Sequence, residues 1–193
     1  MSGEVLRLFL ALPLSVFRDE IERFLVLLKR NVPGIKWVLP EQVHLTLHFF
    51  GDTPSSGLDR LDEALRRVVG DFPVMELRLT GMGGFPDLKR PNVLWAGVED
   101  REGKLPEFEN SVRKGIAGLG YPVETRPFRP HATLGRTKSV PPGHAIHETV
   151  SRLPLQLPTA FKPVDRLILY KSELRSSGAV HEIVREFPFN GAA

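Results

Sequence analysis

Residues 42–52, "QVHLTLHFFGD", set His44, Thr46 and His48 on alternate positions of an apolar run. A half-buried strand points successive side chains to opposite faces, so this one has a dry face and an unusually polar one. Residues 129–137, "RPHATLGRT", repeat the order His, one residue, Thr, Leu, with His131 and Thr133 in the places of His44 and Thr46. The two motifs lie 87 residues apart in a chain of 193, a little under half its length.

Shifting the first half by that offset brings other patterns into coincidence. Residues 5–12, "VLRLFLAL", fall on 92–99, "NVLWAGVE", both strand-like. An amphipathic helix over about 16–30, with Phe17, Ile21, Phe24, Leu25 and Leu28 on one face, falls on a second over about 105–118. Helical stretches follow each motif, at about 57–69 and 144–153, and strand-like 75–81 falls on 162–168. A last strand is predicted over 179–189. The order β-α-β-α-β thus occurs twice. It predicts an α+β fold: a single bilobal domain over 1–193 with repeat halves of about 1–87 and 88–193. Two mainly antiparallel sheets, backed by helices, would flank a central cleft on a pseudo-two-fold axis. The stretch "GMGGFPDLKRPN", residues 81–92, reads as a long loop able to bind, and "VPPGH", residues 140–144, as a connector.

Residues two apart on a strand share a face and are about 6.6 Å apart. His44 with Thr46, and His131 with Thr133, therefore point one way while their apolar neighbours point into the core. Two imidazoles and two hydroxyls converging on a cleft suit phosphodiester chemistry. A neutral imidazole takes a proton from the attacking oxygen, and an imidazolium opposite returns one to the leaving alkoxide. Threonine hydroxyls can donate to the non-bridging oxygens. A single His-x-Thr reads most simply as a structural histidine; two copies in an internal repeat do not. His48 shares the face of His44 by alternation, but Gly135 occupies its equivalent position. The i,i+4 spacing of His44 and His48 lacks the helix and the glutamate of a zinc motif. His144 and His147 read as surface residues, and His181 alternates on the last strand without further signal.

Composition sets outer bounds. Apolar residues are 41% and charged residues 25%, ordinary for a soluble globular protein, and the net charge is +3. Without cysteine, disulfides and thiolate zinc sites are excluded. No apolar run is long enough to span a membrane, and the N-terminal stretch reads as a first strand, so a cytoplasmic protein is expected. The window 126–138, "RPFRPHATLGRTK", holds four cations and no acid around the second motif, as a phosphate-attracting mouth would.

Paired H-x-T-x motifs are similar to those of the two-histidine (2H) phosphoesterases. Their flanks resemble the bacterial and archaeal RNA 2′,3′-cyclic phosphodiesterase family, historically "2′-5′ RNA ligase". The resemblance runs through "RLFLALPL", "HLTLHFFGD", "GGFPDLKRPNVLWAGVE", "RPFRPHATLGR" and "LILYKSEL" with Gly178 after it. It implies hydrolysis of RNA 2′,3′-cyclic phosphate ends to 2′-phosphates without metal or other cofactor, with 2′-5′ ligation as the reverse reaction. It implies His44 as proton donor, His131 as proton acceptor, and Thr46 and Thr133 on the phosphate; the residues themselves do not distinguish donor from acceptor. Arg136, which strict alternation aims away from His131, is a candidate substrate-binding residue together with Arg129, Phe85 and Arg90. Trp95 reads first as core. The implied partner is RNA with a 2′,3′-cyclic phosphate end, tRNA fragments included, with no membrane and no required protein partner, hence a monomer. A 2H esterase acting on a small cyclic nucleotide or ADP-ribose cyclic phosphate, and a non-catalytic RNA-end binding module, are the alternatives.

Overall fold

Strand alternation and helical periodicity fall in the order the repeat predicts. The first half runs β1 (Val5–Pro13), α1 (Arg18–Asn31), a short β2 (Ile35–Trp37), β3 (His44–Pro54), α2 (Leu58–Gly70) and β4 (Met75–Phe85). The second runs β5 (Val93–Asp100), α3 (Leu105–Ala117), β6 (His131–Thr137), α4 (Ile146–Arg152), β7 (Lys162–Val164), β8 (Arg166–Arg175) and β9 (Gly178–Pro188). The computed structural model describes residues 4–122, 124–139, 145–175 and 178–192. The 140–144 connector and His144 lie outside the described residues.

The helices form where charge and apolar spacing agree. In α1, Asp19 and Glu20 occupy the first turn and Lys29 and Arg30 the last, matching the helix dipole, while Ile21, Phe24, Leu25 and Leu28 are buried. The α3 amino end is capped by Asp100, whose carboxylate accepts from the backbone N–H groups of Lys104 and Leu105 at 2.8 Å each. Helices α2 and α3 pack on each other. Gly115 permits the close approach, since a Cβ there would lie 2.6 Å from a Val68 methyl.

Strand pairing joins the two predicted sheets into one nine-stranded sheet, of which they are the two arms. Among the described residues the strands run β7–β4–β5–β6–β3–β1–β8–β9, with β2 added beside β6. The described pairs of strands are antiparallel. The two motif strands join the sheets through one register pair, Leu45 with Ala132. Each sheet also takes its third strand from the other half of the chain: β4 pairs with β5, and β8 with β1. A lobe is therefore not a half. The offset also differs by element. Leu12 faces Leu45 and Ala96 faces Ala132, so the first strands of the two halves correspond at 84 residues, not 87. One core cluster, including Leu12, Leu45, Leu94, Ala132 and Leu169, runs beneath both sheets.

The predicted loop at 81–92 is half strand. β4 continues to Phe85, with Gly83 opposite Trp95 and Phe85 opposite Val93. The glycines that read as punctuation make room: a Cβ on Gly83 would sit 2.2 Å from the Trp95 indole, and one on Gly84 2.6 Å from the Asp87 carbonyl. The remaining turn is closed by Asp87 Oδ1, which accepts from Lys89 N and Arg90 N at 2.8 and 3.0 Å.

Candidate active site

The site grows from the crossing of β3 and β6. Leu45 and Ala132, paired there, are both fully buried, so the residues flanking them present their side chains on the opposite face. The strands are antiparallel, which sets His44 on the side of Thr133, and Thr46 on the side of His131. The four motif side chains are all half-buried, the exposure expected along a cleft. The repeat thus assembles as one set the residues that the sequence pairs.

A β-bulge then interrupts each motif strand at the same place. On β3, Thr46 pairs with Ala11 and His48 with Leu10, leaving Leu47 without a partner. On β6, Thr133 pairs with Trp95 and Gly135 with Leu94, leaving Leu134 without a partner on β5. Each bulge reverses the alternation beyond it. His48, expected on the face of His44, is turned to the core side, 6% exposed, with its ring edge-on to that of Phe50 at 4.6 Å. Phe49 takes the cleft-side place instead, 47% exposed, with the Arg7 guanidinium 4.7 Å from its ring centroid. On β6 the same reversal brings Arg136 onto the face of His131. Its partner on β2 is Lys36, so two cations share that rim. Gly135 has no side chain because Ile35 and Trp37 fill its space; a Cβ would meet the Ile35 methyl at 2.5 Å.

Both imidazoles are tethered alike. His44 Nδ1–H donates to the carbonyl of Gln42, and His131 Nδ1–H to that of Arg129, each at 2.7 Å. The carbonyls accept only, so the tautomer is set and Nε2 is the nitrogen left for chemistry at each ring. The rings differ in their walls. His44 lies 4.8 Å from Phe9, 6.1 Å from Tyr170 and, edge-on, 5.4 Å from His181. His131 lies edge-on 4.9 Å from Phe85 and 6.0 Å from Trp95. Burial first, then the nearby His181 and His131, push His44 down to about 4 against an upward pull from the Gln42 hydrogen bond. Burial also lowers His48 and His181.

The remaining predicted residues divide. Phe85 stands beside His131, and Trp95, read first as core, forms part of that wall above Gly83. Arg129 contributes its carbonyl to His131 and an exposed side chain. Arg90 is exposed on the Asp87 turn, with no ring or ion-pair contact to the motif residues among the described ones. Arg126 of the basic window is paired with Glu124 at 2.6 Å, which neutralises it locally. His147 is exposed. Reading the sequence missed His181, Tyr170, Phe9, Phe49 and Lys36. Their positions depend on the pairing of β1, β8 and β9 and on two bulges, which no local pattern announces.

The family model described as the 2'-5' RNA ligase superfamily matches residues 16–175. A Thermotoga maritima protein named RNA 2',3'-cyclic phosphodiesterase is 30% identical over 189 residues, 96% of this chain and 97% of the relative. A Geobacillus stearothermophilus protein of the same name is 30% identical over 185 residues, but this chain spans 57% of its length. Among solved structures, a Thermus thermophilus protein superposes with a TM-score of 0.78 at 29% identity, over 97% of this chain and 100% of the other. Escherichia coli LigT complexed with 3'-AMP shares the fold at a TM-score of 0.73 and 23% identity, over 96% of this chain and 99% of that one. The match over most of the chain, with both motifs inside it, makes this protein a member of the 2'-5' RNA ligase superfamily of two-histidine phosphoesterases.

Proposed function

We propose that this protein hydrolyses the 2′,3′-cyclic phosphate end of RNA to a 2′-phosphomonoester. The observation that carries the reading is the pair of imidazoles on crossing strands, each with Nδ1 held by a carbonyl two residues back and Nε2 left for chemistry. In this scheme water attacks phosphorus as His131 Nε2 takes its proton. The 3′ oxygen departs as His44 Nε2 gives it one. Thr46 and Thr133 donate to the non-bridging oxygens, and each proton transfer contributes about 10² to 10⁴ in rate. With an RNA 5′-hydroxyl attacking in place of water, the same ring opening, with the 3′ oxygen leaving, forms a 2′-5′ linkage.

The donor role of His44 follows the resemblance and sets a condition. Held near 4 in the free protein, His44 is neutral at pH 7. It must gain its proton with the substrate, whose anionic phosphate favours an imidazolium beside it. The rims suit RNA. Arg136 and Lys36 present cations on the His131 side, and Phe49 under Arg7 offers a ring and a guanidinium plane to a base on the His44 side. The relatives named RNA 2',3'-cyclic phosphodiesterase support this substrate.

The test is an oligonucleotide ending in a 2′,3′-cyclic phosphate, incubated with the protein and EDTA and followed by phosphorus NMR. A 2′-phosphate product is expected, formed faster from the oligonucleotide than from a cyclic mononucleotide. A 3′-phosphate product, or no product, contradicts the reading.

A further inference from the structure

The internal repeat makes His44 and His131 equivalent in their strand, their bulge and their tether. What it does not repeat is β9. This strand pairs with β8 along its whole length and sets His181 opposite Ser172, on the face that Tyr170 shares. The corresponding edge of the other sheet is β7, whose short pairing with β4 covers only Met75–Leu77, far from Phe85. His181 consequently stands beside one catalytic imidazole and not the other. Its ring meets His44 edge-on at 5.4 Å and Phe9 edge-on at 4.8 Å, completing with Tyr170 a wall of rings around His44.

We propose that His181 is a positioning residue that shields one flank of His44 from water, and so distinguishes two imidazoles the repeat makes alike. Two features of the geometry carry this. First, His181 Nδ1 is buried without a hydrogen-bond partner among the described residues. A proton there would bury a charged N–H with no acceptor, so His181 itself stays neutral and acts as an apolar lid. Second, the His181 ring displaces water from one flank of His44, which disfavours the charged form of His44. Any proton on either ring also repels a second, so the pair takes up one proton in place of two. The groups facing His44 are Tyr170 from β8, His181 from β9, His131 across the cleft and the Gln42 carbonyl; of these, the two histidines are the ones whose protonation would act on it. The inference rests on the proposed hydrolysis for its purpose: His44 would then charge only when a phosphate is bound, making the donor ready with its substrate. Its structural content does not need that activity.

The test is a histidine-selective NMR titration of the wild type, His181→Ala and His181→Phe, with His131 as internal control. In His181→Ala the His44 midpoint rises by about 0.5 pH unit or more, a shift of the size burial changes commonly give, while His131 stays in place. His181→Phe keeps the ring and its burial, so its His44 midpoint stays nearer the wild-type value than that of His181→Ala. It also serves as the folded variant should the truncation unfold. An unchanged His44 midpoint in His181→Ala, an equal shift at His131, or, where only His181→Phe folds, a shift there as large as about 0.5 unit, overturns the proposal. Because the titration reads protonation in the free protein, it stands even if no cyclic phosphate is turned over. Where turnover is seen, the acid limb of kcat/KM moves with His44 and the other limb does not.

Discussion

Leu47 and Leu134 hold the same place in the two halves: each is the residue a β-bulge leaves without a partner on the neighbouring β1 or β5, one position after a motif threonine. The bulges decide what each cleft wall carries beyond the histidine and threonine. Phe49 comes forward on one wall and Arg136 on the other, while His48 and Gly135 turn inward. The repeat supplies two equivalent His-x-Thr walls, and the post-bulge residues make their rims different, one aromatic and one cationic.

Arg136 should therefore matter to substrate and not to fold. Arg136→Ala is expected to lower kcat/KM on the RNA substrate by about 10- to 100-fold, the worth of one hydrogen bond to a charged group. The salt dependence of KM should weaken as well. Phe49→Ala should cost a similar factor on an oligonucleotide, since stacking is worth about 1–3 kcal/mol per base. Steady-state kinetics at two salt concentrations check both, with thermal melts unchanged.

His48 behaves in the opposite way. Buried against Phe50 and off the cleft face, it can be replaced by leucine with kcat/KM changed by less than a few-fold. A loss as large as that of His44→Ala would return His48 to the active site.

Stability should fall on acidification through a definite window. His44 has a folded-state value of about 4 against an ordinary 6.5, and His48 and His181 are shifted the same way. Between about pH 6.5 and 4 the unfolded chain binds more protons than the folded one, so stability rises with pH across that range and is lost as pH falls. Thermal melts should show Tm dropping through this window, less steeply in His48→Leu. A Tm that is flat there shows that the histidines titrate normally.

How much of this was legible beforehand depends on the range over which each residue is placed. Alternation and helical spacing located β3, β6, α1, α2 and α3 to within a few residues, because those signals are local. The offset of 87 linked His44 and Thr46 to His131 and Thr133 without any knowledge of pairing. Long-range pairing was not legible: the exchange of β4 and β8 between the sheets, the 84-residue correspondence of β1 and β5, and the arrival of His181 beside His44. Gly83 misled as a loop residue, since its role is to lie under Trp95. Strict alternation aims Arg136 away from His131, so its place on the cleft face depends on the bulge at Leu134, which only the pairing reveals.

Gly83 gives a direct check on that packing. Gly83→Val puts side-chain atoms where the Trp95 indole lies, and should destabilise the fold by about 1–3 kcal/mol as overpacking does. Displacing Trp95 and Phe85 from beside His131 should also lower kcat. Unchanged melts with full activity would show that the indole does not need this seat.

Proton uptake on binding separates the two possible charge states of His44. Calorimetry of inorganic phosphate at pH 7 in buffers of different ionisation enthalpy should show uptake of up to one proton per site. It should be lost in His44→Gln, because His44 is neutral before the anion arrives. Binding without uptake would assign the proton-donating role elsewhere.

The central claim is that two motifs, one from each half, act as a single acid–base unit. It is tested most directly by single-turnover rates of His44→Ala, His131→Ala and the double variant on one cyclic-phosphate oligonucleotide, with circular dichroism melts showing intact folds. The account predicts that each single change costs about 10² or more and that the double costs little beyond the worse single, as residues of one unit do. Losses that multiply, or a single variant that keeps the wild-type rate, would contradict it.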